Sequence, residues 1–540
     1  MSWTGWLLFI LIVQVIHFLG TWKLYRNAGR KAWEAAVPVY NALVLMKIIN
    51  RPWWWTLLLF IPIVNLIMFP VIWVETLRSF GRNSSVDTAL GLLTFGLYIY
   101  YINYTQDVTH IADRSLKPRT STGEWVSSIL FAVVAATIVH TYVMQPFTIP
   151  TSSLEKSLLV GDFLFVSKFH YGARIPMTPL AFPMVHDTIP KVGVKSYISK
   201  PQIPYTRIPG FQKIKRNDIV VFNWPVDTLI NITPGQMRGS VQKPIDKKSN
   251  YVKRCVGLPG DSLSVKNGYV YIDGKQNVLP DRAKVQFAYE VYAKKALVQT
   301  INGKYTADPI PFMVDRYNIT DIYVSGIDRE NQVLIHTAHL TKPTAEKLKN
   351  NPDVLDVVQI EIEEGYYDES VFPNDAQYEF NNNFFGPIYI PEAGKTVTIN
   401  AQSIPFYRRI IEVYEGTELG IDNKITQNGT QVLLNGSPIT EYTFKMDYYW
   451  LMGDNRNNSQ DARTWGFVPF NHVVGKPVFI WASFDNTNKG LLNWRPRWER
   501  FFTTVHGSGK PVSYLTYFLV LLAAWFTFNY FRKRNKAKKK

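Results

Sequence analysis

Cysteine is almost absent: Cys255 is the only one in 540 residues. That excludes an intrachain disulfide framework and any multi-cysteine zinc or iron–sulfur site, and it leaves the redox compartment unreadable. Several catalytic signatures are missing as well. There is no His-Glu-x-x-His, and the nine histidines show no ligand-like clustering, which argues against a zinc peptidase. Gly394-Lys395-Thr396 lacks a glycine at the distance a phosphate-binding loop requires, its nearest predecessor being Gly386. No Gly-x-Ser-x-Gly occurs, which counts against an α/β-hydrolase. Met1–Trp22 lacks the basic leader and small-residue cleavage site of a removable secretion signal, so it is expected to stay as an anchor.

What is present is basic charge and apolar length. Fifty-nine Lys and Arg against 42 Asp and Glu give a net charge of +17, while a mean hydropathy of -0.08 suggests a soluble chain. The average conceals five stretches free of charged residues: Met1–Trp22, Pro52–Val74, Thr88–Gln106, Trp125–Ser153 and Pro511–Phe531. Each approaches the ~20 residues a helix needs to cross a hydrocarbon core, and about five transmembrane helices are therefore expected. The third is the weakest of them, and the fourth must cease to be helix near Pro146 and Pro150. The loop Lys23–Arg51 has a net charge of +5 and the tail Arg532–Lys540 carries seven cations, together +12 of the +17. By the positive-inside rule both face the cytoplasm, and five spans then put residues 153–510 outside. The charge thus reads as topology rather than as affinity for nucleic acid.

The external segment carries short β-branched and aromatic runs between turn residues: Asp218–Trp224, Ser262–Val265, Tyr269–Ile272, Gln431–Leu434 and Tyr448–Met452. Asn267-Gly268, Asp273-Gly274 and Asn435-Gly436 are hairpin turns in the making. A mainly antiparallel β domain is expected, with an insertion or second subdomain at 276–440 that includes a helix-like stretch at Thr344–Lys349. The acidic run Glu361, Glu363, Glu364, Asp368 and Glu369 is expected to be a solvated face. The full division is a membrane region at 1–124, a helix leading into the site at 125–146, β catalytic segments at 147–275 and 441–510 around the insertion, a final helix at 511–531, and a basic tail at 532–540.

Three blocks remain for chemistry. The first runs Pro146-Phe147-Thr148-Ile149-Pro150-Thr151-Ser152-Ser153-Leu154, immediately after the fourth apolar stretch. The second joins Asn217–Phe222 to Tyr251-Val252-Lys253-Arg254-Cys255-Val256-Gly257-Leu258-Pro259-Gly260-Asp261. The third is Gly453-Asp454-Asn455-Arg456-Asn457-Asn458-Ser459-Gln460-Asp461-Ala462-Arg463. Taken by themselves they offer serine hydroxyls at a membrane exit, a lysine on an apolar strand, and a polar turn.

In order and internal spacing the blocks resemble the boxes of bacterial type I signal peptidases, over roughly 140–275 and 445–475. The resemblance implies a signal-peptidase-like β fold and a membrane-bound serine endopeptidase that removes signal peptides after small residues in an Ala-x-Ala pattern. It places the nucleophile on Ser153, with Ser152 as the neighbouring alternative, and the general base on Lys253. Thr151 would assist the oxyanion hole, Ser459 would orient the lysine, and Asp461 with Arg463 would form a structural ion pair. Phe147, Ile149, Leu154, Leu158, Tyr251 and Val252 match or adjoin the apolar positions of shallow substrate pockets. No metal and no organic cofactor is expected; the partners implied are exported preproteins, the lipid bilayer and the export machinery, in the bacterial plasma membrane.

The chain departs from the family pattern where a glycine before the nucleophile is replaced by Ser152 and where Met-x-Pro-Thr after it becomes Leu154-Glu155-Lys156-Ser157. Two other readings compete. A catalytically silent tethered scaffold is opposed by the joint presence of Ser153, Lys253 and Ser459. A self-cleaving repressor-type Ser/Lys peptidase would need a DNA-binding N-terminus where apolar stretches stand.

Overall fold

The computed structural model describes residues 2–118, 120–227, 243–485 and 494–538. Met1, Arg119 of the predicted 107–124 loop, and Lys539 and Lys540 of the basic tail lie outside them. The chain divides into two compact units, one formed by Met1–Met144, Ala173–Pro209 and Asp227–Lys248, the other by Gln145–Gly172, Gly210–Val226 and Ser249–Lys540.

The first unit is mostly helical: α1 (Trp3–Asn27), α2 (Tyr40–Ile48), α3 (Trp55–Leu58), α4 (Val64–Ser79), α5 (Ser85–Leu93), α6 (Tyr98–Thr105) and α7 (Ser121–Ile138). Its core gathers Leu24, Tyr25, Val44, Met46, Ile49, Ile72, Leu77 and Ile102. Gly20 lets α1 approach the Tyr100 ring of α6, where a Cβ would lie 2.9 Å from a ring carbon.

Among the described residues two helices are long and apolar enough to cross a membrane, Trp3–Asn27 and Ser121–Val143, or three spans are reached if the bent pair α5 and α6 is one, so the expectation of five is corrected. The second predicted stretch breaks between α3 and α4, where Pro62 precedes Ile63 at φ 70°, and α4 goes on to carry Glu75. The third folds back on itself. Phe95 and Gly96, at φ 52° and 83°, turn α6 by 118° from α5. The fifth does form a helix, Leu515–Lys538. Its uncharged part ends at Phe531 before Arg532, Lys533 and Arg534, too short and too diluted by Tyr517, Asn529 and Tyr530. The fourth stretch ends as expected: α7 continues as a π turn through Val143 and gives way to strand at Met144, ahead of Pro146.

The second unit is built on an antiparallel β sheet of nine strands. From one edge the order is β1 (Met144–Thr148), β2 (Asp162–Ser167), Val473–Asp485, β3 (Ile219–Asn223), β4 (Asn250–Gly257), Tyr448–Met452 and Val468–Pro469. Arg495–Pro496 and Thr503–Thr504 are added to Val473–Asp485. Alternation along β3 feeds two cores, Ile219 and Val221 packing with Ile149, Leu154, Leu164 and Val166, and Val220 and Phe222 with Cys255, Leu451 and Val473.

Asn267-Gly268, Asp273-Gly274 and Asn435-Gly436 all have positive φ at both residues, the twist a two-residue hairpin requires, and each joins paired strands. Residues 287–359 form a separate four-stranded sheet in the order Ile322–Asp328, Val333–Leu340, Phe287–Ala293, Val354–Gln359, with its own core around Val291, Met313, Ile319, Leu340 and Leu348. Glu361, Glu363, Glu364 and Glu369 of the acidic run are exposed and Asp368 is half-buried.

Candidate active site

All three blocks lie in the second unit and touch one another. Ser153 sits in a single 3-10 turn, Ser152–Leu154, between β1 and β2, and is 7% exposed. Its carbonyl accepts the N–H of Asn455 at 3.1 Å, and the Ser152 carbonyl accepts the Asn455 side-chain amide at 3.3 Å. Thr151 precedes the turn in extended conformation, exposed, its hydroxyl making no capping bond to the turn.

Lys253 lies on β4, in register with Val220 of β3, and is 3% exposed. Its ammonium stands 5.8 Å from the Tyr251 ring centre, two residues back on the same strand face. Burial pushes Lys253 down to about 8; Asp461 and Asp454 work against that shift and Arg463 with it.

The third block is a buried turn. Gly453 follows the strand Tyr448–Met452, whose Met452 is paired with Arg254. A Cβ on Gly453 would come within 2.7 Å of the Ser153 carbonyl and collide with Ser459, so glycine permits the close approach of the first and third blocks. Ser459 Oγ is buried and makes no hydrogen bond among the described residues. Asp461 accepts the Gly453 N–H at 2.9 Å and meets Arg463 through two bonds of 2.9 and 2.8 Å. Burial raises the Asp461 carboxyl, but Arg463 outweighs it and holds the group below the usual range.

The six residues matched to substrate pockets are distributed unevenly. Ile149, Leu154 and Leu158 are buried in a core cluster, with Phe147 and Val252 half-buried against it. Tyr251 stacks on Trp224 at 5.1 Å and meets Trp465 edge-on at 5.6 Å.

Sequence reasoning missed the ion pair that fastens the site. Arg254, which strand alternation puts on the face opposite Lys253, is 3% exposed and grips Asp454 through bonds of 2.8 and 2.6 Å. Asp454 also accepts from Ser157 Oγ at 2.6 Å, tying the segment after Ser153 to the third block. Arginine beside Lys253 and aspartate beside Gly453 were visible in the blocks, but a polar turn gives no local sign of burial. Among the described residues no group of three His, Cys, Asp or Glu converges as a metal site.

The second unit is an antiparallel β domain that packs a turn serine and a buried lysine strand against a glycine-aspartate turn. A family model described as signal peptidase, peptidase S26, matches residues 122–314 and 389–482. The chain belongs to that family and is a serine peptidase. It is 26% identical to the signal peptidase I of Haemophilus influenzae over 72% of this chain and 78% of that protein. It is also 26% identical to that of Buchnera aphidicola subsp. Baizongia pistaciae over 64% and 71%, and 23% identical to that of Helicobacter pylori strain J99 over 72% and 93%. Residues 33–113 match a family of unknown function.

Proposed function

We propose that the protein is a membrane-bound signal peptidase in which Ser153 is the nucleophile and Lys253 its general base. The observation that carries this reading is the meeting of the three blocks: Asn455 bonded to the Ser153 carbonyl, and Lys253 buried with its ammonium pushed down to about 8. A serine hydroxyl becomes a nucleophile only when a base takes its proton, and a lysine can do so only when neutral. Lowering Lys253 from 10.5 to about 8 corresponds to about 3 kcal/mol of differential destabilisation of the charged form.

Ser153 Oγ attacks the scissile carbonyl as its proton passes to Lys253 Nζ. The resulting oxyanion is held by the Ser153 N–H and the Thr151 hydroxyl. The Lys253 ammonium then protonates the leaving amine, and the C–N bond breaks. In the second half Lys253 takes a proton from water, whose oxygen attacks the acyl-enzyme and releases Ser153. For Ser459 to orient Lys253, its buried hydroxyl, which makes no hydrogen bond among the described residues, has to turn onto Nζ when the site is engaged. The substrate is an exported preprotein bound in extended form, with small residues before the cut, beside the export machinery.

The protein would lie in the bacterial plasma membrane through α1 and α7, with residues 28–120 cytoplasmic and the β domain outside, as the basic Lys23–Arg51 segment requires.

The test is incubation of the detergent-solubilised chain with a preprotein. Cleavage by wild type and its loss, by more than about 10³-fold, in both Ser153→Ala and Lys253→Ala is expected. Cleavage surviving either substitution removes the dyad, and a wild type that cleaves nothing favours a scaffold.

A further inference from the structure

The turn carrying Ser153 is held from a second direction, by a segment between the two parts that match the family model. Lys156, three residues on, has φ 68°, a left-handed conformation that side-chain-bearing residues keep only where their surroundings hold them. Its Nζ donates to Thr320 Oγ1 at 2.8 Å and Asn318 Oδ1 at 3.3 Å, and stands 3.8 Å from the Glu155 carboxylate. Thr320 Oγ1 in turn donates to Glu155 Oε1 at 3.1 Å. One residue further, Asp321 accepts the Asn458 side-chain amide at 3.0 Å and lies 2.8 Å from His339 Nδ1. That Asn458 amide also donates to Ser152 Oγ at 3.1 Å.

One short turn, Asn318–Asp321, therefore reaches both ends of the nucleophile turn: Glu155 and Lys156 after it, and Ser152 before it through Asn458. Glu155 is 6% exposed. Docking one subdomain on another needs no charge there, and buried charges are retained at a cost in desolvation that apolar residues would avoid. Lys156 also stands where the family pattern has proline, one of the departures of the Ser153 block, and residues 318–321 fall in the gap of the family match. The departure and the inserted turn thus belong to one contact.

We propose that the Asn318–Asp321 turn is a clamp that sets the position of Ser153, with Thr320 and Lys156 as positioning residues. The inserted subdomain then contributes to catalysis without touching substrate. This rests on Ser153 being the nucleophile. A reacting atom displaced by about 1 Å can lose about 10²-fold in rate, so the effect belongs in kcat.

The experiment measures kcat and KM for preprotein cleavage by the full chain in detergent, with thermal unfolding alongside, for Thr320→Val, Thr320→Ser, Lys156→Met and Ser153→Ala. Thr320→Val and Lys156→Met are expected to lower kcat by about 10- to 100-fold at unchanged KM and a melting temperature within about 2 °C of wild type. Thr320→Ser, which restores the hydroxyl, should recover most of the loss. If Thr320→Val unfolds, Lys156→Met, which keeps the apolar stem, decides alone. The clamp is overturned if Ser153→Ala is inactive while Thr320→Val and Lys156→Met keep kcat within about twofold of wild type, or if the loss falls on KM, or if Thr320→Ser does not recover it. Cleavage by Ser153→Ala instead overturns the nucleophile assignment on which the clamp depends.

Discussion

Lys253 is where the chemistry and the stability of this protein pull apart. With its ordinary 10.5 lowered to about 8 by burial, the folded chain gives up this proton before the unfolded chain does. The unfolded state therefore binds more protons over that interval, and stability rises with pH from about 8 upward, while below about 8 the buried ammonium is a standing penalty. Two outcomes follow for measurement. The rate of preprotein cleavage at low substrate should climb about tenfold per pH unit on the acid side and level off near about 8 as Lys253 becomes neutral; a profile flat across that range contradicts the base assignment. Lys253→Met should abolish cleavage yet raise the resistance to denaturant at neutral pH by about 1–3 kcal/mol, because an apolar side chain replaces a buried charge. Lys156 is also pushed down to about 8, chiefly by burial, with Arg497 adding to the shift and Glu155 and Asp321 opposing it. A neutral amine still donates, so its bonds to Thr320 and Asn318 survive that titration.

Among the elements, the turn Gly453–Arg463 and strand β4 carry the site, and they differ in how far they could be read in advance. Hairpins such as Asn267-Gly268 were legible because two residues with positive φ settle the geometry locally. The pairing of β4 with Tyr448–Met452 was not, because alternation along a strand marks its faces and says nothing of a partner almost two hundred residues away. The third block was legible as a motif and opaque as an environment: Asp454, Asn455 and Asp461 are all fully buried, and the two carboxylates are neutralised there by Arg254 and Arg463, with Ser157 and the Gly453 N–H adding bonds. Asp454→Asn should therefore leave Arg254 buried without its counter-charge and lower stability by about 3–5 kcal/mol, read as a fall in melting temperature together with lost cleavage. Gly453→Ala tests the approach of the blocks themselves. Its methyl would meet the Ser153 carbonyl at 2.7 Å, so activity should fall by more than about tenfold while the sheet still folds. Wild-type activity in that variant would mean that the blocks need not meet so closely.

For the whole molecule, composition overcounted the membrane helices because an uncharged stretch is not yet a helix. Pro62 divides one such stretch and Phe95-Gly96 reverses another, and neither break alters hydropathy. Placing the basic residues still yields an orientation that can be measured. With α1 and α7 as the spans, a reporter fused within residues 28–120 should be active only on the cytoplasmic side, and an external reporter there would refute the orientation. The lone cysteine makes finer mapping practical. Cys255 lies in the middle of the catalytic sheet with no exposed surface, and burial pushes its thiol well above the ordinary range. The folded protein is accordingly blind to thiol reagents. Any cysteine introduced at the surface becomes a single addressable label without deleting a native one, and the slow reaction of Cys255 itself becomes a clock for the opening of the strand that holds Lys253.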